Sequence, residues 1–454
     1  MAFSYKVLKS KYFTTANSYE STYNVKTYGA TGNGQSDDTE EIQSAIDSID
    51  NEKGGTLYFP KGTYRVTSSL KIINKSKMRL IGEGNSSIIM AKAEGKKKIN
   101  FSLITLNNTG SSKLVVDSLL FQMFNTDEKK ASAISTEGTI TDIAIRNSWF
   151  TQTNIALKGD FVTLSFIANT VELCKSGGII AKGSDFRKII ISSNHFFANN
   201  NSHINLENSS EKNNFSNITI SNNQFDQGLS SQYVKGYKSI GNAIELSNVS
   251  LFTIQNNNFN GLTPKRDNNN EEYQNGHAVK CFDCSKFLID NNTYSFYSQS
   301  AINIENSNNF KIGGLISNIR SNGVDIKNSQ TFKLDFIEDS AKIGGKISNS
   351  NNFDIKGSYT NNLEFGLLIE NSSYGKIQAS LMDNNLLNDS TKSEIYFSGK
   401  SNNNILDGAN ISNSTLNNAH SIIFEVSTFN NIIGSNTIFE KENFINKGNN
   451  NIIN

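Results

Sequence analysis

One short phrase, repeated down most of the chain, constrains its fold more than any other feature: apolar, any, apolar, two polar residues, Asn or small, any, aromatic or aliphatic. Leu164-x-Phe166-x-x-Asn169-x-Val171 is one copy, and Ile189-x-Ile191-x-x-Asn194-x-Phe196 follows. It returns at Ile218 with Asn223 and Phe225, at Phe252 with Asn257 and Phe259, and at Phe287 with Asn292 and Tyr294. Degenerate copies precede these at Val116 and Ile145 and follow them at Ile312, Leu334, Ile355 and Ile377. Ten steps carry the phrase from Val116 to Ile377, about 26 residues each, a period in the range of repeat architectures.

Each repeat also carries a second alternating stretch, as in Ile204-x-Leu206, Ile244-x-Leu246, Val279-x-Cys281, Ile302-x-Ile304, Val324-x-Ile326 and Leu367-x-Ile369. Alternation with period two sends apolar side chains to one side of a strand and polar ones to the other. Short strands separated by Asn/Ser/Gly turns, with no helical periodicity between them, bury their apolar faces only by stacking coil on coil. The expected fold is therefore all-β, a single-stranded parallel β-helix. Residues 1–22 read as an N-terminal extension, 23–110 as a cap with the first coils, and 111–454 as the solenoid proper. In such a stack Asn169, Asn194, Asn223, Asn257 and Asn292 form one file at about 4.8 Å spacing, where carboxamides bond to one another. Phe196, Phe225, Phe259 and Tyr294 form an aromatic file beside it. These are core and turn residues rather than ligand groups.

Composition narrows the functional classes. The 43 basic and 42 acidic residues leave a net charge of +1, which offers no electrostatic attraction for nucleic acid or an anionic membrane. The 29 Phe and 15 Tyr residues set the chain apart from a disordered polar one. Three cysteines are no disulfide framework. The opening Met1 to Tyr12 has no apolar core of signal-peptide length, and no run approaches the roughly 18 apolar residues of a membrane span. A soluble protein is expected, leaving a cell, where it does so, without a classical signal peptide.

Residues 23–65 read differently. Tyr23-Asn-Val leads to Gly29, Gly32 and Gly34, then Asp37-Asp38-Thr-Glu40 and Ile42, Ala45, Ile46 and Ile49, and then Gly54-Gly55-Thr-Leu-Tyr-Phe59-Pro60-Lys-Gly62-Thr-Tyr64. This is a strand, a Gly-rich turn, and a helix with an acidic start and one apolar stripe. Laid across the first coil, that helix closes an open solenoid end. Asp37 and Asp38 fit helix capping rather than catalysis. The glycines serve a turn, because no phosphate-loop Lys-Ser/Thr follows them.

The segment closely resembles the opening of pectate-lyase-superfamily β-helix proteins, which include bacteriophage tailspikes, exopolysaccharide depolymerases, glycoside hydrolases and epimerases. The motif covers residues 23–90, and the coil pattern covers the rest. The resemblance implies a right-handed helix with an N-terminal capping helix, a polysaccharide partner, and an enzyme that cuts an extracellular or cell-surface polysaccharide as a lyase or glycoside hydrolase. It also implies location on a virion tail or outside the cell. The alternatives are a non-catalytic carbohydrate-binding spike or adhesin, and a uronate epimerase. A homotrimer is implied by the tailspikes, although no separate C-terminal trimerisation domain is distinguishable. No cofactor is required, and calcium held by outward carboxylates is compatible with the family.

Two coil intervals are long, Ile220 to Ile254 and Ile254 to Ile289, with the excess at 227–241 and 260–276. Long turns on a rigid scaffold are where function concentrates. Beside them, alignment of the second strands places Asn205, Glu245, Lys280, Asn303 and Asp325 in one outward file. His277 falls two coils along from Ser202, with His203 at the same edge. A lyase needs a base beside a uronate carboxylate and cations to steady the enolate, which suits His277, Lys280 and Arg266. A glycosidase needs two carboxyl groups about 5–10 Å apart, which Glu245 could form with Asp226, Asp267, Glu271 or Glu207. Tyr233, Tyr237 and Tyr273 are placed to stack on sugar rings. Thus Glu245, His277, Lys280, Asp226 and Asp267 are the catalytic candidates. His203, Asn205, Glu207, Tyr233, Tyr237, Arg266, Tyr273 and Asn303 are the substrate-binding ones. Cys281-Phe-Asp-Cys284 lacks a second ligand pair for zinc, so no metal site is assigned.

Overall fold

A computed structural model describes residues 21–93, 95, 97–107, 113–127, 130–210, 216–227, 241–261, 276–383, 392–412, 420–439 and 444–454. The chain winds as a right-handed parallel β-solenoid of about 14 turns. Among the described residues 40 strands form one continuous parallel sheet that returns on itself coil after coil.

Three faces make up each coil. The repeated phrase supplies the first, for example Lys188–Ser192, Ile218–Ser221 and Phe252–Gln255. After the Asn turn comes the second, His195–Phe197, Gln224–Asp226 and Asn258–Asn260. The third is Ile204–Asn208, Ile244–Ser247, Val279–Phe282 and Ile302–Glu305. Alternate residues of every face, Ile189, Ile191, Phe196, Ile204 and Leu206 among them, are fully buried. Burying each such side chain contributes about 1.5–3 kcal/mol.

The turns between first and second faces explain the Asn. The second polar residue of the phrase, Ser193, Asn222, Asn256 or Asn291, is left-handed with φ between 53° and 58°, a conformation Asn tolerates better than most residues. The ladder Asn then points inward. Asn169 Nδ2 donates to Asn194 Oδ1 at 3.2 Å, and the three following steps, to Asn223, Asn257 and Asn292, are each 3.0 Å. Each of those oxygens also accepts the backbone N–H of the Asn one coil earlier at 2.8–2.9 Å. The file is stacked as the sequence predicts, and so is the aromatic one, with ring centroids 5.1, 4.8 and 5.0 Å apart from Phe196 to Tyr294.

Two further files were not anticipated. Phe252, Phe287, Phe310, Phe332 and Phe353 stack under the first face at 4.5–5.5 Å. At the turn leading into that face, the hydroxyls of Ser307, Ser329, Ser350 and Ser372 accept the N–H of the preceding coil at 3.0–3.1 Å.

The helix Thr39–Asp47 closes the N-terminal end. Ile42, Ala45, Ile46 and Ile49 are buried. Gln43 completes the free edge of the first third-face strand, accepting Lys71 N–H at 2.8 Å and donating to Lys71 O at 3.0 Å. An amide thus occupies a strand edge that would otherwise recruit another chain. Asp38 stands at the N-cap, but its carboxylate turns back to the Gly-rich loop, accepting Thr31 N–H at 2.7 Å and Gly32 N–H at 3.1 Å. Asp37 instead receives the N–H of Thr39, the first helical residue.

Candidate functional site

Register on the third face puts Asn205, Glu245, Lys280, Asn303 and Asp325 side by side in one outward file. Strand alternation alone determines this, because Ile244, Val279 and Ile302 face inward and fix their neighbours outward. Glu245 is the hub of the cluster. Its Oε2 accepts from Asn242 Nδ2 at 3.0 Å and Ser202 Oγ at 3.3 Å, and its Oε1 lies 3.4 Å from Lys280 Nζ.

One residue pair before Val279, His277 sits at the coil corner in line with Asn242, whose Oδ1 accepts His277 N–H at 2.8 Å. His277 Nδ1 lies 3.1 Å from Ser300 O. A carbonyl oxygen only accepts, so Nδ1 carries the proton and Nε2 the lone pair. Burial lowers the His277 pKa to about 4, with the Lys280 charge adding to it and the Ser300 carbonyl and Glu245 opposing it. The ring is neutral at neutral pH, a base in its ready form beside a cation. Three coils from Glu245, burial pushes the Asp325 carboxyl up, while a hydrogen bond from Asn322 at 2.9 Å works against it.

Other candidates lie elsewhere. His203 is fully buried, so it cannot touch a polysaccharide. Its ring lies 5.9 Å from both Phe196 and Phe225, and its Nδ1 takes the Asn199 amide at 2.8 Å. The physical reason is the corner. Residues 203 and 204 both face inward, as Ala243-Ile244, Ala278-Val279 and Ala301-Ile302 do in the next coils. Asp226 belongs to the second face, across the corner from Glu245. It is held there by His195 Nε2 at 3.0 Å, Gln224 at 2.9 Å and Asn260 at 3.1 Å. Glu207 is outward on the third face, but one file over, against Lys182. Asn205 pairs in register with Glu245 and Asn303 with Lys280. Tyr233, Tyr237, Arg266, Asp267, Glu271 and Tyr273 lie outside the described residues.

The reading missed Asn242 as the link between Glu245 and His277. Its signal was its position two residues before Ile244, matching His277 before Val279. The thiols are core groups. Cys284 Sγ donates to Phe282 O at 3.3 Å, and burial raises the Cys281 pKa well above its ordinary value. Among the described residues no three His, Cys, Asp or Glu side chains converge as metal ligands, and no helix is long and apolar enough to cross a membrane.

The chain is similar to several known proteins. Alginate lyase 7 of Azotobacter vinelandii is 41% identical over 78 residues, which are 16% of this chain and 9% of that protein. The mannuronan C5-epimerase AlgE4 of the same organism is 38% identical over 78 residues, 16% of this chain and 14% of that one. The matched segment thus spans a small fraction of these relatives. The solved A-module of AlgE4 overlays with a TM-score of 0.47 at 14% identity, covering 92% of this chain and 100% of the module. Residues 22–264, more than half of the chain, match the profile described as rhamnogalacturonase A/epimerase, pectate lyase-like, and the chain belongs to that family.

Proposed function

We propose that the chain is an enzyme acting on an acidic polysaccharide at the Glu245–His277–Lys280 cluster, and that it breaks the chain by elimination. Its setting in this reading is outside the producing cell, secreted or on a virion tail. His277 Nε2 takes the C5 proton of a uronate. Lys280 faces the carboxylate and steadies the charge that spreads onto it. The C4–O4 bond then breaks, a C4=C5 double bond forms, and the departing O4 takes a proton from the Lys280 ammonium or from solvent. Glu245, receiving three donors, positions Lys280 and Asn242.

The observation that carries this reading is a neutral, half-buried imidazole beside an ammonium group, with no second carboxyl group paired to Glu245 among the described residues. Asp325 is three coils away, about 14 Å, beyond the separation a glycosidase uses. Glu207 is engaged by Lys182. Epimerisation is the second reading, favoured by relatives that are mannuronan epimerases. It shares the proton abstraction and differs only in returning the proton to the opposite face. A non-catalytic adhesin is the third.

The test incubates the protein with polymannuronate and polygalacturonate while following reducing ends, ultraviolet absorbance and proton NMR. Elimination yields reducing ends together with unsaturated-uronate absorbance. Inverted C5 signals without cleavage mean epimerase, and reducing ends without absorbance mean hydrolase. Binding without any of these outcomes means adhesin. Removing a general base of this kind costs about 10²–10⁴ in turnover, so full activity in His277→Ala would exclude the proposed chemistry.

A further inference from the structure

The same outward file continues toward the N-terminus and ends in a second, differently built groove. Register carries it from Glu245 and Asn205 through Ile180 and Lys158 to Ser135, Thr105 and Lys71. On the first four third-face strands these residues line a groove of about 480 Å³, with Lys130, Phe101 and Glu137 on its walls. That volume is in the range of carbohydrate-sized ligand sites.

Its chemistry suits an acidic saccharide. Lys71, Lys130 and Lys158 line the groove together with a single carboxylate residue, Glu137, which is already hydrogen-bonded by Asn107 Nδ2 at 2.9 Å. Among the described residues none of the three lysines is ion-paired. The floor is a chain of hydroxyls, with Ser69 Oγ 2.7 Å from Thr105 Oγ1 and Thr105 Oγ1 3.3 Å from Ser135 Oγ. Lysines without ion-pair partners cost little to engage with a carboxylated ligand. The hydroxyls can exchange their mutual bonds for bonds to sugar hydroxyls, and Phe101 offers an apolar surface at the rim.

We infer that this groove is a docking site for the far end of the same acidic polysaccharide whose reactive unit lies at Glu245 and His277, an inference that rests on the proposed function. Lys158 is three coil steps from Glu245, about 14 Å, and Lys71 six steps, about 29 Å. A sugar unit in an extended polysaccharide advances by roughly one coil step, so one stretch of polymer spans both places while a short oligosaccharide reaches only one. The groove therefore selects long chains.

The test measures binding of polymannuronate to the full-length protein at low ionic strength, using chains of a dozen or more units and a tetramer. For long chains, K71A/K130A/K158A weakens affinity at least about tenfold and flattens its salt dependence. A control triple of equal charge on the other faces, K188A/K356A/K376A, changes it by less than about twofold. Circular dichroism checks that both variants fold. If the two triples weaken binding equally, or if the first binds long chains as wild type does, the groove is not a docking site. Glu245→Gln separates the two claims. Loss of turnover with long-chain affinity retained supports both. Unchanged turnover defeats the catalytic assignment and leaves the groove result standing. No binding of polymannuronate or polygalacturonate to the wild type removes the groove's role.

Discussion

The coils around Asn194–Asn292 and those around Ser307–Ser372 do the same mechanical job with different parts. In the first region successive ladder residues are 29, 34 and 35 apart, and a primary amide closes each turn. In the second they are 22, 21 and 22 apart, and a hydroxyl does so. An amide both donates and accepts across the stack. A hydroxyl accepts from the coil before it and donates within its own coil, as Ser350 does to Ser348 O at 2.8 Å. The amide file thus lies where coils of unequal length must be held in register, and the hydroxyl file where equal coils align almost by themselves. The candidate chemistry sits on the unequal coils.

The sharpest way to break this contrast is to remove one rung from each file. Asn223→Ala strips the acceptor for Asn194 N–H and the donor to Ile191 O in the core, and should cost about 3–5 kcal/mol of stability. Ser350→Ala should cost about 1–2 kcal/mol. Chemical denaturation measures both, and equal losses would erase the distinction.

Next comes pH, because the two regions carry opposite liabilities. Glu338 occupies the inward file where the other region places Phe and Tyr. Burial raises its pKa to about 8, with a hydrogen bond from Asn362 opposing the rise and the Asp339 charge adding to it. The folded state keeps the proton that the unfolded state releases, so stability falls as pH rises from about 4.5 to about 8. His203 runs the other way. Burial lowers its pKa to about 3, with the His195 charge adding to it against Asp226, so stability falls as pH drops from 6.5 toward that value. Glu338→Gln should gain about 2–4 kcal/mol at pH 8.5 and little at pH 5. His203→Leu should flatten the acid limb alone. Thermal melts across pH check both.

A smaller effect separates the outward faces. Lys280→Ala should lower turnover about tenfold to a hundredfold. Lys346→Ala, in the same file beyond Asp325, should change it by less than about twofold. If the Lys346 variant suffers as much, the chemistry extends into the regular coils.

Much of this was legible in the sequence because period two and a recurring Asn translate directly into register. The outward file at Glu245 followed from aligning the second strands, each member one residue after Ile244, Val279 or Ile302. What escaped was local. His203 faces inward because a corner breaks alternation, and the clue was Ala at the equivalent positions 243, 278 and 301. Asp226 was paired with Glu245 because neighbouring coils lie a few ångströms apart, although the two residues stand on different faces. The hydroxyl file was written as the dipeptide Asn-Ser at 306, 328, 349 and 371. In each pair the Asn is left-handed, with φ between 48° and 53°, and the Ser turns inward. A recurring Asn was read as ladder in one place, while in the other it was the hinge preceding the ladder.

The equal spacing of the Ser coils also makes this stretch a ruler. Excising residues 329–349 removes one closed circuit of chain and joins Asn328 to Ser350, leaving every remaining neighbour in its former lateral alignment. The solenoid would shorten by about 4.8 Å per excised circuit. The distance from the N-terminal cap to the far tip is thus adjustable in whole graduations, with the Glu245 surface left untouched.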